Sequence, residues 1–544
     1  MSRVDRLDQG RKAYAKHEWR DAYAFLSFAD LETPLGGVDL AMLAESAFLL
    51  GSDTRSLEIL ERAYHLNTTG ELPSTAARFA FWIGFRLQLA GDGTLGEVWH
   101  SRARRHLEEC APCAAHGLPF LARGCSLRVA GDASAAHVQF AKAFDIGTRY
   151  GDHDLTALAR HYQGRAKLRS GQIAQGMAFL DESVAAISTG ASSSVVTGGI
   201  FCSALDACDE AMDIRRADRW TSAFRQWRVT QPSMIAFRTE ALAHRVSLML
   251  LRGAWRDALD ELTTLIQWLD ERSDRPAAGL AYYQRGELHR LRGEHDAAHA
   301  AYLEALKRGH KPQPGLAQLL LAQGEIVSAA EETRRLLAQT TLQPNRSRVL
   351  LASVEILLAA GDVSDARACA EELSELDAKL RTPLSYATST HAIGAVLLCE
   401  DKPQPSLVAL RDAMTTWSEI GARYHAARAR VLIAAAHREL GDEAAVKSEL
   451  TAAAQSFDVL GAAADRLHAE EFYRRGANAD DPFLTARQLD VLRLLALGMS
   501  NLAISESLAL SAQAVAKDVT SVFYQLRVLT REEVAKKARD RGLL

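Results

Sequence analysis

Apolar residues along the first 480 positions recur at helical spacing, three and four apart. That spacing predicts amphipathic helices throughout and no strands. A second periodicity lies over the first. Glycines stand at Gly51, Gly91, Gly131 and Gly171, forty residues apart, and resume at Gly253, Gly293, Gly324, Gly361 and Gly441. Five residues after each comes a small side chain (Ser56, Gly96, Ala136, Gly176, Ala258, Ala298, Ala329, Ala366), with Val446 the exception. Seven before several of them is another glycine: Gly84, Gly124, Gly164 and Gly286. Nine after several comes a bulky residue: Phe140, Leu180, Leu262, Tyr302 or Leu450. The unit is therefore a helix, a glycine turn and a second helix that crosses the first where side chains are smallest. The bulky residues fill the space between pairs.

Between 190 and 240 and near 401 the glycine is missing while the helical spacing persists. The run Thr189 to Gly199 is rich in Gly and Ser and predicts a long loop. About eleven or twelve helix pairs are expected. The spacing is similar to tetratricopeptide repeats, with a period nearer forty than thirty-four. The resemblance implies a superhelical solenoid over residues 1–475, because no pair buries its apolar face alone. Residues 476–483 (Gly-Ala-Asn-Ala-Asp-Asp-Pro-Phe) read as a linker.

The pattern changes at Leu484. Thr485 and Gln488 form a capping box, Gly498 stops the helix, Ser500 caps a second and Ser511 a third that runs to about Leu526. Thr530 with Glu533 opens a fourth, ended by Gly542. The short Leu508–Ser511 connection predicts a helix-turn-helix. The residues Leu484, Thr485, Arg487, Val491, Leu492, Leu494, Ala496, Gly498, Ser500, Asn501, Ile504, Leu508, Ser511, Val515 and Val519 closely resemble the C-terminal helix-turn-helix of LuxR-type bacterial regulators. Leu526, Val528 and Arg531 match as well. The fold class expected is thus all-α: a tetratricopeptide-like superhelical solenoid, then a small four-helix domain over 484–544.

The resemblance implies that the third helix enters the major groove. Ser511, Gln513, Ala516, Lys517, Thr520 and Ser521 are its expected outward, DNA-side residues. Asn501, Arg487 and Arg531 would hold phosphates or domain geometry, and Val534 and Ala538 on the fourth helix would pack a homodimer. The chain departs from the family where Ala514, Ala516 and Asp518 replace the usual Thr, Lys and His. Lys517 is the one cation left in the third helix, and Asp518 is expected beside phosphates, repelling them. Residues 484–544 carry nine Lys and Arg against six Asp and Glu, a net of +3 in a chain of −4. So small an excess implies few phosphate contacts and steep loss of binding with salt.

Other chemistry is sparse. Seven cysteines, an odd number and thinly spread, imply free thiols. Cys110, Cys113, His116 and Cys125 have ligand-like spacing, but no second Cys pair follows, and neither a metal nor another cofactor is expected. There is no Gly-Lys dipeptide and hence no phosphate-binding P-loop, no H-E-x-x-H, and no G-x-S-x-G. An enzyme is not expected. No stretch approaches a membrane span and no secretory leader is visible, so a cytoplasmic chain is expected. The function implied is a bacterial transcription regulator. Its partners would be double-stranded DNA and, on the solenoid, a protein or peptide effector ahead of a small molecule. The alternative is a repeat scaffold whose terminal domain no longer reads DNA.

Overall fold

A computed structural model describes the chain except for residues 1–2, 69–72, 109, 271–274, 341–344, 478–483, 527–530 and 541–542. Among the described residues there is no strand, and twenty-five α-helices precede residue 478. They divide into two compact units, Met1–Leu248 and Met249–Leu544.

Within each unit, consecutive helices pair through the devices visible in the sequence. All nine turn glycines have positive φ, as in Gly131 (88°) and Gly171 (77°), a region open to glycine without steric cost. The crossings are closest where both helices carry glycine. A Cβ on Gly84 would meet the Gly96 carbonyl oxygen at 2.7 Å, and one on Gly164 would meet that of Gly176 at 2.8 Å. Where serine takes the second position it hydrogen-bonds across the gap: Ser56 Oγ donates to the Ala44 carbonyl at 2.5 Å and Ser406 Oγ to the Gly394 carbonyl at 2.7 Å. Phe140, Leu180, Leu262, Tyr302 and Leu450 are all buried.

Three features differ from expectation. The turn recurs every twenty residues, because the connection between pairs is also left-handed: Gly131, Gly151, Gly171 in the first unit, and Gly361, Arg381, Asp401, Gly421, Gly441, Gly461 in the second. Where the glycine lapses, Met212 (φ 52°) and Asp401 (φ 55°) take the same conformation, a sparsely populated one for side chains. Of the Thr189–Gly199 run only 189–193 is a connection. Ser193 caps the helix Ser194–Ala211, and its backbone N–H donates to Asp154 Oδ1 at 2.8 Å.

The third feature is contact between distant repeats. In the first unit the backbone N–H groups of Ile235 and Ala236 donate to the Leu49 carbonyl at 2.7 and 3.1 Å, and Phe48 packs edge-on against Phe237. In the second, Trp255 packs on Tyr424 with ring centroids 5.5 Å apart. A simple nearest-neighbour stack has no such contacts. No described helix is long and apolar enough to cross a membrane.

The last four helices, numbered here within their own domain, are α1 (Ala486–Ala496), α2 (Asn501–Leu508), α3 (Ala512–Leu526) and α4 (Arg531–Asp540). Their core is Leu484, Val491, Leu492, Leu495, Ile504, Val515, Val522, Leu526, Val534 and Ala538. Of the expected linker, residues 476 and 477 complete the helix Ala463–Ala477, and 478–483 lie outside the described residues.

Candidate nucleic-acid interface

Capping fixes how the elements enter the domain. Thr485 Oγ1 accepts from the Gln488 N–H at 3.2 Å while the Gln488 side chain accepts from the Thr485 N–H at 3.1 Å. Gly498 (φ 80°) turns the chain out of α1. Ser500 Oγ accepts from Ala503 N–H, and Ser511 Oγ from Ala514 N–H, each at 3.2 Å. Both hydroxyls satisfy helix N–H groups that have no partner within the helix. The α2–α3 turn passes through Ala509 at φ 52°. The expected cap Thr530 and stop Gly542 lie outside the described residues.

On α3, Val515 and Val522 point into the core, while Ala516 and Lys517 are exposed and Thr520 is half-buried. The Thr520 hydroxyl donates to the Ala516 carbonyl at 2.9 Å, leaving its methyl as the free end. Ser521 does not face outward as expected. It is half-buried in the α1–α3 seam, accepting from Gln488 Nε2 at 2.9 Å and Gln525 Nε2 at 3.2 Å. Asn501 is half-buried at the start of α2. The side chains of Gln513 and Arg531 are outside the described set, although both residues are helical.

Asp518 corrects the electrostatic expectation. Its side chain is 3% exposed, turned away from the outward face and toward α1. There Arg487 Nη2 donates to Oδ1 at 3.0 Å, and Arg487 Nε lies 2.7 Å from Oδ2 as a charge contact without hydrogen-bond alignment. The hydrogen bond and charge of Asp518 raise the Arg487 pKa further above its already high range. Arg487 is thus bound to its own domain rather than free for a phosphate, and the outward face of α3 carries no acid.

Val534 and Ala538 are corrected too. Both are fully buried in the domain's own core, so they have no surface left for a second copy. Among the described side chains of α4 the exposed ones are instead Lys536, Lys537 and Arg539, cations to which the sequence pattern gave no role. Their spacing three and one apart on a helix was the available signal.

Cys110, Cys113 and His116 lie against one another in a local turn rather than as a metal-holding set. Cys113 N–H donates to His116 Nδ1 at 3.2 Å, with Cys113 Sγ 3.6 Å from the same nitrogen, so that ring atom serves a local turn. Cys125 lies buried on the helix Leu118–Val129, and burial pushes its thiol up to about 12. Among the described residues no group of three or more His, Cys, Asp or Glu is placed to hold a metal ion.

Residues 482–538 match the family of bacterial regulatory proteins, luxR family. No curated protein matches the chain. Among solved structures the chain is similar to the APC/C hetero-tetramer Cut9-Hcn1, at 13% identity and a TM-score of 0.36 over 86% of this chain and 95% of that one. It is also similar to yeast Tom70, at 14% identity and a TM-score of 0.26 over 87% and 95%. The four-helix domain that begins at Leu484 is a LuxR-type helix-turn-helix domain, joined in one chain to a tetratricopeptide-like helical-repeat region.

Proposed function

We propose that the chain is a bacterial transcription regulator whose α3 enters the major groove of a defined DNA site, while the repeat region receives a protein or peptide effector. The observation that carries the reading is the burial of Asp518 against Arg487. It removes the one acidic group of α3 from the surface that would face phosphates, and with it the main reason to suppose that the domain has lost DNA binding. Among the described residues, Lys517 on α3 and Lys536, Lys537 and Arg539 on α4 are exposed cations available for backbone contacts, and phosphate neutralisation supplies most of the affinity of such domains. Asn501 and Ser511 are assigned to the same surface. Pairing of two copies on a two-fold site belongs to this proposal, through a surface other than Val534 and Ala538. A DNA partner places the working protein in the cytoplasm.

For the effector, the second unit offers a polar interior. Arg428 reaches back 73 residues to Glu355, Nη2 donating to Oε1 at 2.6 Å and Nη1 to Oε2 at 3.1 Å. His391 and His425 stand nearby, kept neutral because burial and the Arg428 charge push them down to about 4 and about 3. About a third of the Arg428 and Glu355 side chains still reaches solvent, so the pair supports a recognition surface for polar peptide groups.

The test is selection of random duplex DNA by the full chain at low and moderate salt, repeated with Lys517→Ala. One enriched motif, bound at least tenfold less well by the variant and more weakly as salt rises, is expected. Absence of any enriched motif would turn the function toward a protein scaffold.

A further inference from the structure

The described side chains of α3 leave little polar reading capacity on its outward face. The Ser511 oxygen caps the helix, the Thr520 hydroxyl donates to the Ala516 carbonyl, and Ser521 is held in the α1–α3 seam by Gln488 and Gln525. Asp518 is buried on Arg487. Among the described α3 side chains, the Ala516 methyl and the Lys517 ammonium are exposed, and half-buried Thr520, its hydroxyl turned to the Ala516 carbonyl, has its methyl left for an apolar contact. Ala516 and Thr520 are four residues apart, hence on one helix face with their Cβ atoms about 6 Å from each other.

In the major groove, thymine is the base that presents an apolar group, its C5 methyl, and Ala and Thr methyls are the side-chain ends that match it. Guanine is recognised chiefly by Arg or Lys reaching O6 and N7; α3 holds no arginine and a single lysine, Lys517, so at most one such contact is available to it. From this geometry we infer that the operator is read through thymine C5-methyl groups packed on Ala516 and Thr520, so that its core is A·T-rich and Lys517 anchors the flank. The inference rests on the DNA-binding reading above and specifies what that surface recognises.

The experiment uses the full chain and the duplex it selects. Each thymine is replaced in turn by deoxyuracil, which pairs identically and lacks only the methyl group. One or two positions per half-site should lose threefold to fivefold in affinity, the effect of withdrawing one methyl from an apolar contact. Thr520→Ser keeps the hydroxyl bonded to the Ala516 carbonyl and removes the methyl, and it should abolish the uracil penalty at one of those positions while leaving the other. Unchanged affinity at every uracil position, or a selected site whose invariant bases are all G·C, would overturn the inference and leave DNA binding standing. Failure to enrich any duplex would overturn both. A penalty that persists in full in Thr520→Ser and in Ala516→Gly would also overturn it, since the methyl would then be read by other residues.

Discussion

His244 should make the first unit more stable at neutral than at alkaline pH. It lies on the helix Arg238–Arg252, with Nε2 3.3 Å from Asp206 Oδ1 and Nδ1 3.5 Å from Asp209 Oδ2, and its side chain is 13% exposed. Burial opposes the charged imidazole, but the hydrogen bonds and charges of the two carboxylates outweigh it and raise the pKa to about 9. The ordinary value is near 6.5, so the folded unit binds this proton more tightly than the unfolded chain. The stabilisation is therefore complete below pH 6.5 and is lost as pH rises through 9. At about 1.4 kcal/mol per pH unit it amounts to roughly 3 kcal/mol when complete, about 2 kcal/mol at pH 7.5 and almost nothing above pH 10. His244→Gln removes the titration and keeps a hydrogen-bonding side chain. Urea unfolding of wild type and variant at pH 6, 7.5, 9 and 10, followed by pulsed alkylation of Cys208, reads this unit directly, because Cys208 is buried on the same helix as both aspartates. The gap between the two proteins should close as pH rises. A gap that stays constant from pH 6 to 10 would refute the ion-pair account and reduce His244 to a packing residue.

Acid should act through the opposite sign at His161, which is buried with its pKa pushed down to about 3 by desolvation and by Arg165 and Arg128. The unfolded chain takes up that proton below pH 6.5, so about 2 kcal/mol is lost by pH 5, and His161→Gln should be correspondingly less acid-sensitive in the same alkylation assay. Gly164→Ala should destabilise the first unit by about 1–3 kcal/mol in urea titrations, because the new Cβ would meet the Gly176 carbonyl at 2.8 Å and Leu180 Cγ at 2.9 Å. Gly131→Ala, with open space around it but φ at 88°, should cost only the left-handed conformation, about 1 kcal/mol. In the DNA-reading domain, Ala509→Gly should raise stability by about 0.5–1 kcal/mol by relieving the positive φ of the α2–α3 turn. Asp518→His should lower the thermal midpoint and weaken DNA binding, since it strands Arg487 and places a larger ring in the α1–α3 seam.

The helices and turns were legible because their causes are local. A glycine at a turn, a small residue five positions on and a bulky one nine positions on each record a contact between neighbours in sequence. The twenty-residue recurrence was present in Gly151, Gly421 and Gly461, but Met212, Arg381 and Asp401 obscured it. A left-handed turn stabilised by the helices on both sides tolerates side chains that its local preference disfavours. The meeting of Leu49 with Ile235, and of Trp255 with Tyr424, left no periodic trace, because contacts between residues some 170 to 190 positions apart depend on the accumulated rotation of many repeats.

Within the DNA-reading domain the same divide separates caps from charges. Thr485, Ser500 and Ser511 cap where the sequence placed them because a cap is satisfied within four residues. Asp518 was misplaced because its partner is 31 residues away on α1. Helical spacing alone puts Asp518 three residues after Val515 and four before Val522, on the core side of α3, but a carboxylate is costly there unless it is paired. Arg487 supplies the pairing with a stem that reaches the seam from an exposed position. The domain's net charge of +3 is unchanged by that contact, since it cancels one charge of each sign. What changes is distribution: the acid leaves the α3 surface, and among the described side chains the exposed cations Lys517 on α3 and Lys536, Lys537 and Arg539 on α4 carry no acid partner on α3. On the proposed DNA-binding reading, a charge total therefore measures the domain's attraction for DNA poorly, and the burial of Asp518 is what leaves the outward face of α3 without an acid.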